Sequence, residues 1–124
     1  MKQTLLVICE SAILEQGTNK VSLLGLFENI TSTGLPTIYP KFTVFTRFEE
    51  GESLHDHKIS IRHEESGEEI ARLEGKIDFS GKGKAQYIGN FIGLPFLKFG
   101  KYKIEIYVDN QIQLLSTYLE VIKG

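Results

Sequence analysis

Cysteine and long apolar runs are almost absent from this chain of 124 residues. Cys9 is the only cysteine, so no disulfide can form within the chain, and its place in an apolar run predicts a small buried side chain. No run approaches the ~18 apolar residues that a membrane-spanning helix needs, and residues 5–9 are too few for the apolar part of a signal peptide. We therefore expect a cytoplasmic protein that does not associate with membranes.

An excess of charge of either sign is also lacking, because 14 Lys and Arg stand against 16 Asp and Glu, a formal net charge of −2. A nucleic-acid binding protein needs a basic face that neutralises phosphates, and this balanced mixture does not supply one. We expect no nucleic-acid partner. The 41% hydrophobic and 24% charged content is typical of a globular protein, and the length suits one domain over residues 1–124.

Helical periodicity is nearly absent, and alternation of apolar and polar residues replaces it. The clearest alternation predicts a strand whose buried face carries Tyr102, Ile104, Ile106 and Val108. Asp109 and Asn110 then tolerate the positive φ of a two-residue turn, which predicts a hairpin with a strand over residues 111–122. A similar alternation over residues 71–79 predicts another strand in the middle of the chain.

The first third of the chain has a weaker pattern. Residues 5–9 form a short continuous apolar run, which predicts a strand covered on both faces. Residues 21–30 carry apolar side chains on both faces, which predicts a second strand whose two faces are each partly covered. A helical turn at residues 11–15 and a reversal at Gly17 and Asn19 are expected between them.

Short strands with no helices between them predict an all-β fold, an antiparallel immunoglobulin-like β-sandwich of about seven to eight strands. Residues 31–40 contain two prolines and are predicted to be a crossing loop, because proline lacks the N–H that a central strand needs. The stretch Gly100-Lys101-Tyr102 resembles the tyrosine corner of immunoglobulin-like domains, in which the tyrosine hydroxyl bonds back across the preceding loop. Ile104 stands where an antibody domain has its second cysteine, and tryptophan is absent, so the resemblance implies a sandwich without disulfide.

Over nearly its whole length the chain also resembles a group of small bacterial proteins classed as a domain of unknown function. The resembling segments are LLVICESAI, KVSLLGLFENI, LPTIYPKF and GLPFLKFGKYKIEIYVDN. This resemblance implies a single-domain sandwich and carries no activity with it.

His55, Asp56 and His57 form the one cluster with the residue types of metal ligands. In a strand His55 and His57 point to the same side, as two ligands of one zinc ion must. His63 lies six residues beyond His57, about 20 Å along a strand, and cannot join the same ion. The two histidines are a weak zinc candidate, because polar residues at a junction between a loop and a strand explain the cluster equally well.

No nucleophile and base occur together in a recognisable catalytic context, which favours a protein that is not an enzyme and holds no cofactor. The sequence favours a binding or adaptor module that presents loops or a sheet face to a protein partner. The alternative left open is a small-ligand or metal-dependent activity around His55 and His57.

The candidate contact segment is residues 93–100, a predicted loop with the apolar side chains Leu94, Phe96, Leu97 and Phe99. One interpretation is that Leu94, Phe96 and Phe99 close the open end of the core, with Tyr102 as their anchor. The other is that Phe96, Leu97 or Phe99 stays exposed and contacts a partner or a second copy of the chain. The sequence leaves both interpretations open.

Overall fold

Nine β-strands and no helix make up the part of the chain that the computed structural model describes, residues 1–18 and 20–124. The strands are β1 (Lys2–Leu14), β2 (Val21–Leu26), β3 (Asn29–Ser32), β4 (Thr37–Glu49), β5 (Leu54–His63), β6 (Glu69–Asp78), β7 (Lys84–Phe96), β8 (Gly100–Val108) and β9 (Gln111–Lys123). Within these residues no helix is long and apolar enough to cross a membrane.

The strands form two sheets, as the all-β prediction requires. The first sheet has the order β2-β1-β4-β7 and the second the order β3-β9-β8-β5-β6. Neighbouring strands are antiparallel except β3 and β9, which are parallel. The prediction of an all-β fold with two mostly antiparallel sheets is therefore confirmed. One pair of strands, at the edge of the second sheet, is parallel.

The main core is built from the inward faces of both sheets. Phe42, Val44 and Phe48 of β4 are fully buried, together with Ile59 of β5 and Ile104 of β8. Each such side chain contributes roughly 1.5–3 kcal/mol by leaving water. Alternation along β4, β5, β6 and β8 supplies this core, which is why their inward faces could be predicted from the sequence.

The predicted hairpin near the end of the chain is confirmed. Val108 pairs with Gln111, and the two residues between them, Asp109 and Asn110, have φ angles of 49° and 65°. Two positive φ values are the requirement of the tight turn whose twist matches that of the flanking strands.

Two predictions for the first third of the chain are wrong. The expected helical turn at residues 11–15 is replaced by a continuation of β1 to Leu14. The single strand predicted over residues 21–30 is divided into β2 and β3, which lie in different sheets, and this raises the strand number to nine. Of the predicted reversal at Gly17 and Asn19, Asn19 lies outside the described residues.

Two segments that were predicted to be loops because of their prolines are strands in part. Pro40 lies in β4, at a point where only β7 pairs with that strand, because β1 joins it only from Thr43 onward. Pro95 lies in β7, which is the edge strand of its sheet. In both places the missing N–H would face away from the paired neighbour, so the local edge tolerates proline.

Candidate functional site

The candidate contact segment, residues 93–100, is divided between the core and the surface. Phe96 is fully buried, while Leu94 and Phe99 are partly buried and pack against the core. Leu97 alone is open to solvent, with 62% of its surface exposed. The placement of Phe96 supports the core-closing interpretation, and it leaves Leu97 as the one side chain of the four that a partner could cover.

Tyr102 anchors this segment. Its ring is buried and lies edge-on to the ring of Phe96, with 5.0 Å between centroids. Its hydroxyl donates to the carbonyl oxygen of Lys98 at 2.7 Å and accepts from the N–H of Lys98 at 3.3 Å. The predicted hydrogen bond back across the preceding loop is therefore present.

Removing this hydroxyl is expected to lower the free energy of unfolding. Tyr102→Phe keeps the ring and leaves the Lys98 carbonyl without its donor, which costs about 1 kcal/mol. Tyr118→Phe is the matched control, since the Tyr118 side chain is partly exposed and its hydroxyl has no hydrogen bond to any described residue. Urea unfolding of the three proteins measures the difference, and equal midpoints for Tyr102→Phe and the parent would contradict the anchor.

His55 is held by two short contacts. Its Nδ1 lies 2.6 Å from Oδ2 of Asp109, and its Nε2 lies 2.6 Å from the carbonyl oxygen of Glu52. A carbonyl can only accept, so Nε2 carries a proton, and an ionised Asp109 likewise requires a proton on Nδ1. The hydrogen bond to Asp109, followed by that to Glu52, raises the pKa of His55.

This arrangement predicts how His55 titrates. Because its folded pKa is raised above the ordinary 6.5, its stabilising effect is complete below pH 6.5 and is lost as the pH rises through the folded pKa. Asp109→Asn keeps the turn, since Asn also tolerates positive φ, and is expected to return the pKa of His55 toward 6.5. NMR titration of the imidazole protons measures this, and an unchanged pKa in Asp109→Asn would show that the contact is unimportant.

His57 points into the core, unlike a ligand of an accessible metal. Only 2% of its surface is exposed, and its ring packs on Tyr87 with 4.3 Å between centroids. Neither ring nitrogen has a hydrogen-bond partner among the described residues. Burial lowers its pKa from 6.5 to about 4, so the ring is neutral at pH 7.

The structure does not bring the histidines together into a metal site. His63, at the far end of β5, uses its ring nitrogens on Ser66 and on the carbonyl oxygen of Phe99. Over residues 1–18 and 20–124 no three His, Cys, Asp or Glu side chains are grouped as metal ligands would be. The interactions of His55 and His63 hold loops in place, at the Asp109 turn and beside the Tyr102 anchor.

A second apolar group lies on the other side of the first sheet, away from the main core. Cys9 pairs with Thr43, and Val7 pairs with Phe45, at positions that alternate with the core residues of β1 and β4. Cys9 and Phe45 are nevertheless buried. Burial raises the pKa of the Cys9 thiol, as its place in an apolar run predicts.

This outer face is close to the hairpin arm, which we define as residues 10–14 of β1 together with β2. If the arm continued straight, Lys20 at its turn would lie about 30 Å from Arg47. Instead Lys20 lines the same cleft as Arg47, Lys84 and Gln86, a space of about 540 Å³. The arm therefore bends back, so that its turn lies over the outer face of the first sheet.

The hairpin arm exposes apolar side chains, of which we call three the arm patch: Ile13, Leu24 and Leu26. The pairing of Ser11 with Leu24 and of Ile13 with Ser22 places Ile13 and Leu24 on one face of the ribbon. Leu26 follows Gly25, whose φ of 69° interrupts the alternation of the strand, and it is the next exposed apolar side chain along β2. Their exposed fractions are 52%, 51% and 63%.

The arm patch continues into a groove. Leu26 lines a space of about 410 Å³ together with Leu6, Val7 and Phe27, at the side of the sandwich where β1 approaches β9. An apolar patch beside a groove gives a partner both a flat contact and a place for an anchoring side chain.

Sequence reasoning did not select the arm patch, although the signal was present. Residues 21–30 carry apolar side chains on both faces, and the sequence predicts that the protein itself partly covers both. The structure leaves Leu24 and Leu26 exposed. Apolar side chains that the chain itself does not cover are typical of a contact surface.

No curated protein matches the chain. The model of a family described as a family of unknown function, DUF6941, matches residues 4–122, which includes all of β2 to β8 and nearly all of β1 and β9. The chain, with its two sheets, its Tyr102 anchor and its hairpin arm, therefore belongs to the DUF6941 family.

Proposed function

We propose that this protein is a non-catalytic binding module that contacts a protein partner through the arm patch. The observation that carries the proposal is the exposure of Ile13, Leu24 and Leu26 on a two-stranded ribbon. A two-stranded ribbon has little stability of its own in water, so its exposed apolar side chains gain by being covered.

The contrast with the outward face of β5 and β6 supports this choice of surface. The outward positions of β5 and β6 carry charged pairs, among them Lys76 with Asp56 at 2.6 Å and Arg72 with Glu69 at 2.9 Å. Such a face is well solvated and gains little from a partner. The arm patch carries no charge and gains from burial at roughly 25 cal/mol per Å².

The contacts of the histidines also support a binding role over a metal-dependent one. The ring of His57 is enclosed by the core, and both nitrogens of His55 are occupied by Asp109 and Glu52. These contacts account for the positions of His55 and His57, and the ring nitrogens of neither histidine are left free at the surface.

We further propose that the scaffold is of the immunoglobulin-like type. Supporting features are that β4 lies between β1 and β7, that β8 lies between β5 and β9, and that β3 runs parallel to β9 at the edge. The hydrogen bond of Tyr102 to Lys98 is the other supporting feature. The hairpin arm is an addition to that arrangement, which is consistent with a specialised role for it.

The test is site-specific photocrosslinking in the cells that naturally produce the protein. A photoreactive residue replaces Leu26, and the matched control replaces Leu114, which is 95% exposed on β9. We expect an adduct from position 26 that position 114 does not give, and its mass identifies the partner. If position 26 gives no more adduct than position 114, the arm patch is not a contact surface.

A further inference from the structure

The four edges of the two sheets differ in their protection against pairing with another strand. The β6 edge carries Arg72, Glu74 and Lys76, the β7 edge carries Pro95, and the β3 edge is only four residues long. Charges, proline and short length each prevent sheets of two molecules from joining edge to edge. The edge strand β2, Val21–Leu26, has none of these protections apart from its modest length of six residues.

The hydrogen bonding of the arm indicates which backbone groups of β2 are directed outward. The N–H of Glu15 donates to the carbonyl oxygen of Lys20 at 2.7 Å, which makes these two residues a hydrogen-bonded pair. Pairs alternate along an antiparallel ladder, so Leu14 with Val21 and Ala12 with Leu23 are the pairs without hydrogen bonds between them. The N–H and C=O groups of Val21 and Leu23 therefore face the free edge.

Charge at the two ends of β2 favours a second copy in antiparallel orientation. Lys20 precedes the strand, and Glu28 follows it. At that second end the side chain of Glu10 also crosses over Gly25, whose missing Cβ would lie 3.0 Å from it. An antiparallel pair brings Lys20 of each copy to the acidic end of the other, whereas a parallel pair would place the two lysines together.

We propose that two copies of this chain associate through β2, antiparallel and about a two-fold axis beside Leu24, which joins their first sheets into one. The same strand meets itself, as an isologous interface requires. The pairing places Leu24 of the two copies opposite each other, satisfies the outward peptide groups of Leu23 and covers part of the arm patch. This inference rests on the proposed function and names the partner as a second copy.

Sedimentation velocity over a range of concentrations tests the association. The parent protein is expected to show a dimer, and Leu24→Lys is expected to raise its dissociation constant about tenfold or more, because the two new charges face each other across the axis. Leu114→Lys makes the same change at an exposed site on β9 and is expected to leave the dimer unchanged. Unfolding midpoints of both variants close to that of the parent show that they fold.

Disulfide trapping tests the geometry independently of any loss of stability. Single cysteines at Ser22 and at Leu24 are exposed to a mild oxidant, with a cysteine at Leu114 as control and the buried Cys9 left in place. We expect a covalent dimer from at least one β2 position, much faster than from position 114. Crosslinking that is no faster at β2, or a protein that remains monomeric at every concentration, overturns the proposed self-association.

The two proposals fail in distinguishable ways. A photocrosslinked adduct at position 26 with twice the 14.0 kDa mass of the chain supports both. An adduct of another mass, together with a monomer in sedimentation, overturns the self-association and leaves the binding function standing. Absence of any adduct at position 26 overturns the binding function itself.

Discussion

Replacing Phe96 with alanine is expected to lower the free energy of unfolding by about 3–5 kcal/mol. The side chain of Phe96 is fully buried at the end of β7, where its ring lies edge-on to Tyr102 and 6.5 Å from the ring of Phe42. Truncation leaves a cavity between these two rings, which a stiff strand end cannot fill by relaxation. The loss includes the transfer of the ring from water and the cost of that cavity.

The neighbouring residue supplies the control. Leu97 is 62% exposed, so Leu97→Ala is expected to change the free energy of unfolding by no more than about 0.5 kcal/mol. Urea unfolding of the two variants and the parent measures both values. If Phe96→Ala were as stable as the parent while altering the oligomeric state, residues 93–100 would be a contact surface. The arm patch would then no longer be the favoured contact surface.

The fold could be predicted wherever one face of a strand is buried and the other is solvated. The stretch that became β6 illustrates this, because Ala71, Leu73 and Ile77 are directed toward the core while Arg72 and Glu74 are directed away from it. Period-two alternation determines the orientation of such a strand completely.

Strands with apolar side chains on both faces could not be placed in the same way. Alternation is absent in residues 21–30, so the pattern could not reveal that the chain leaves β2 at Leu26 and enters the other sheet as β3 at Asn29. Nor could it reveal which face stays open. That depends on how the hairpin arm bends over the first sheet, which is a property of the tertiary structure.

The prolines and histidines were harder to place for a related reason. Pro40 and Pro95 are compatible with strands only because each lies at a local edge, and edges are known only once the strand order is known. The prediction that His55 and His57 point to one side of a strand could be made from spacing alone. Spacing does not tell which side is the interior, and His57 faces it.

The enclosed ring of His57 leads to the last prediction, a loss of stability in mild acid. The folded pKa is about 4 and the unfolded pKa is 6.5, so between these values the unfolded chain binds a proton that the folded chain does not. The contribution of neutral His57 is fully present above pH 6.5 and is lost as the pH falls through 4. At 1.36 kcal/mol per pKa unit, the difference between the folded and unfolded pKa values corresponds to a loss of up to about 3 kcal/mol in the free energy of unfolding.

His57→Leu removes the titrating group and isolates its effect. Leucine has similar volume and no polar nitrogen, so this variant is expected to be at least as stable as the parent at pH 7, where two ring nitrogens of His57 lack partners among the described residues. Urea unfolding of both proteins at several pH values from 7 to 4 gives the difference between their free energies of unfolding. The contributions of the carboxylates that both proteins share cancel in this difference. His55 does not disturb this window, because its raised pKa acts above pH 6.5. We expect the stability of the parent to fall below that of His57→Leu progressively from pH 6.5 to pH 4, and two parallel curves over this range would show that the ring is not buried in its neutral form.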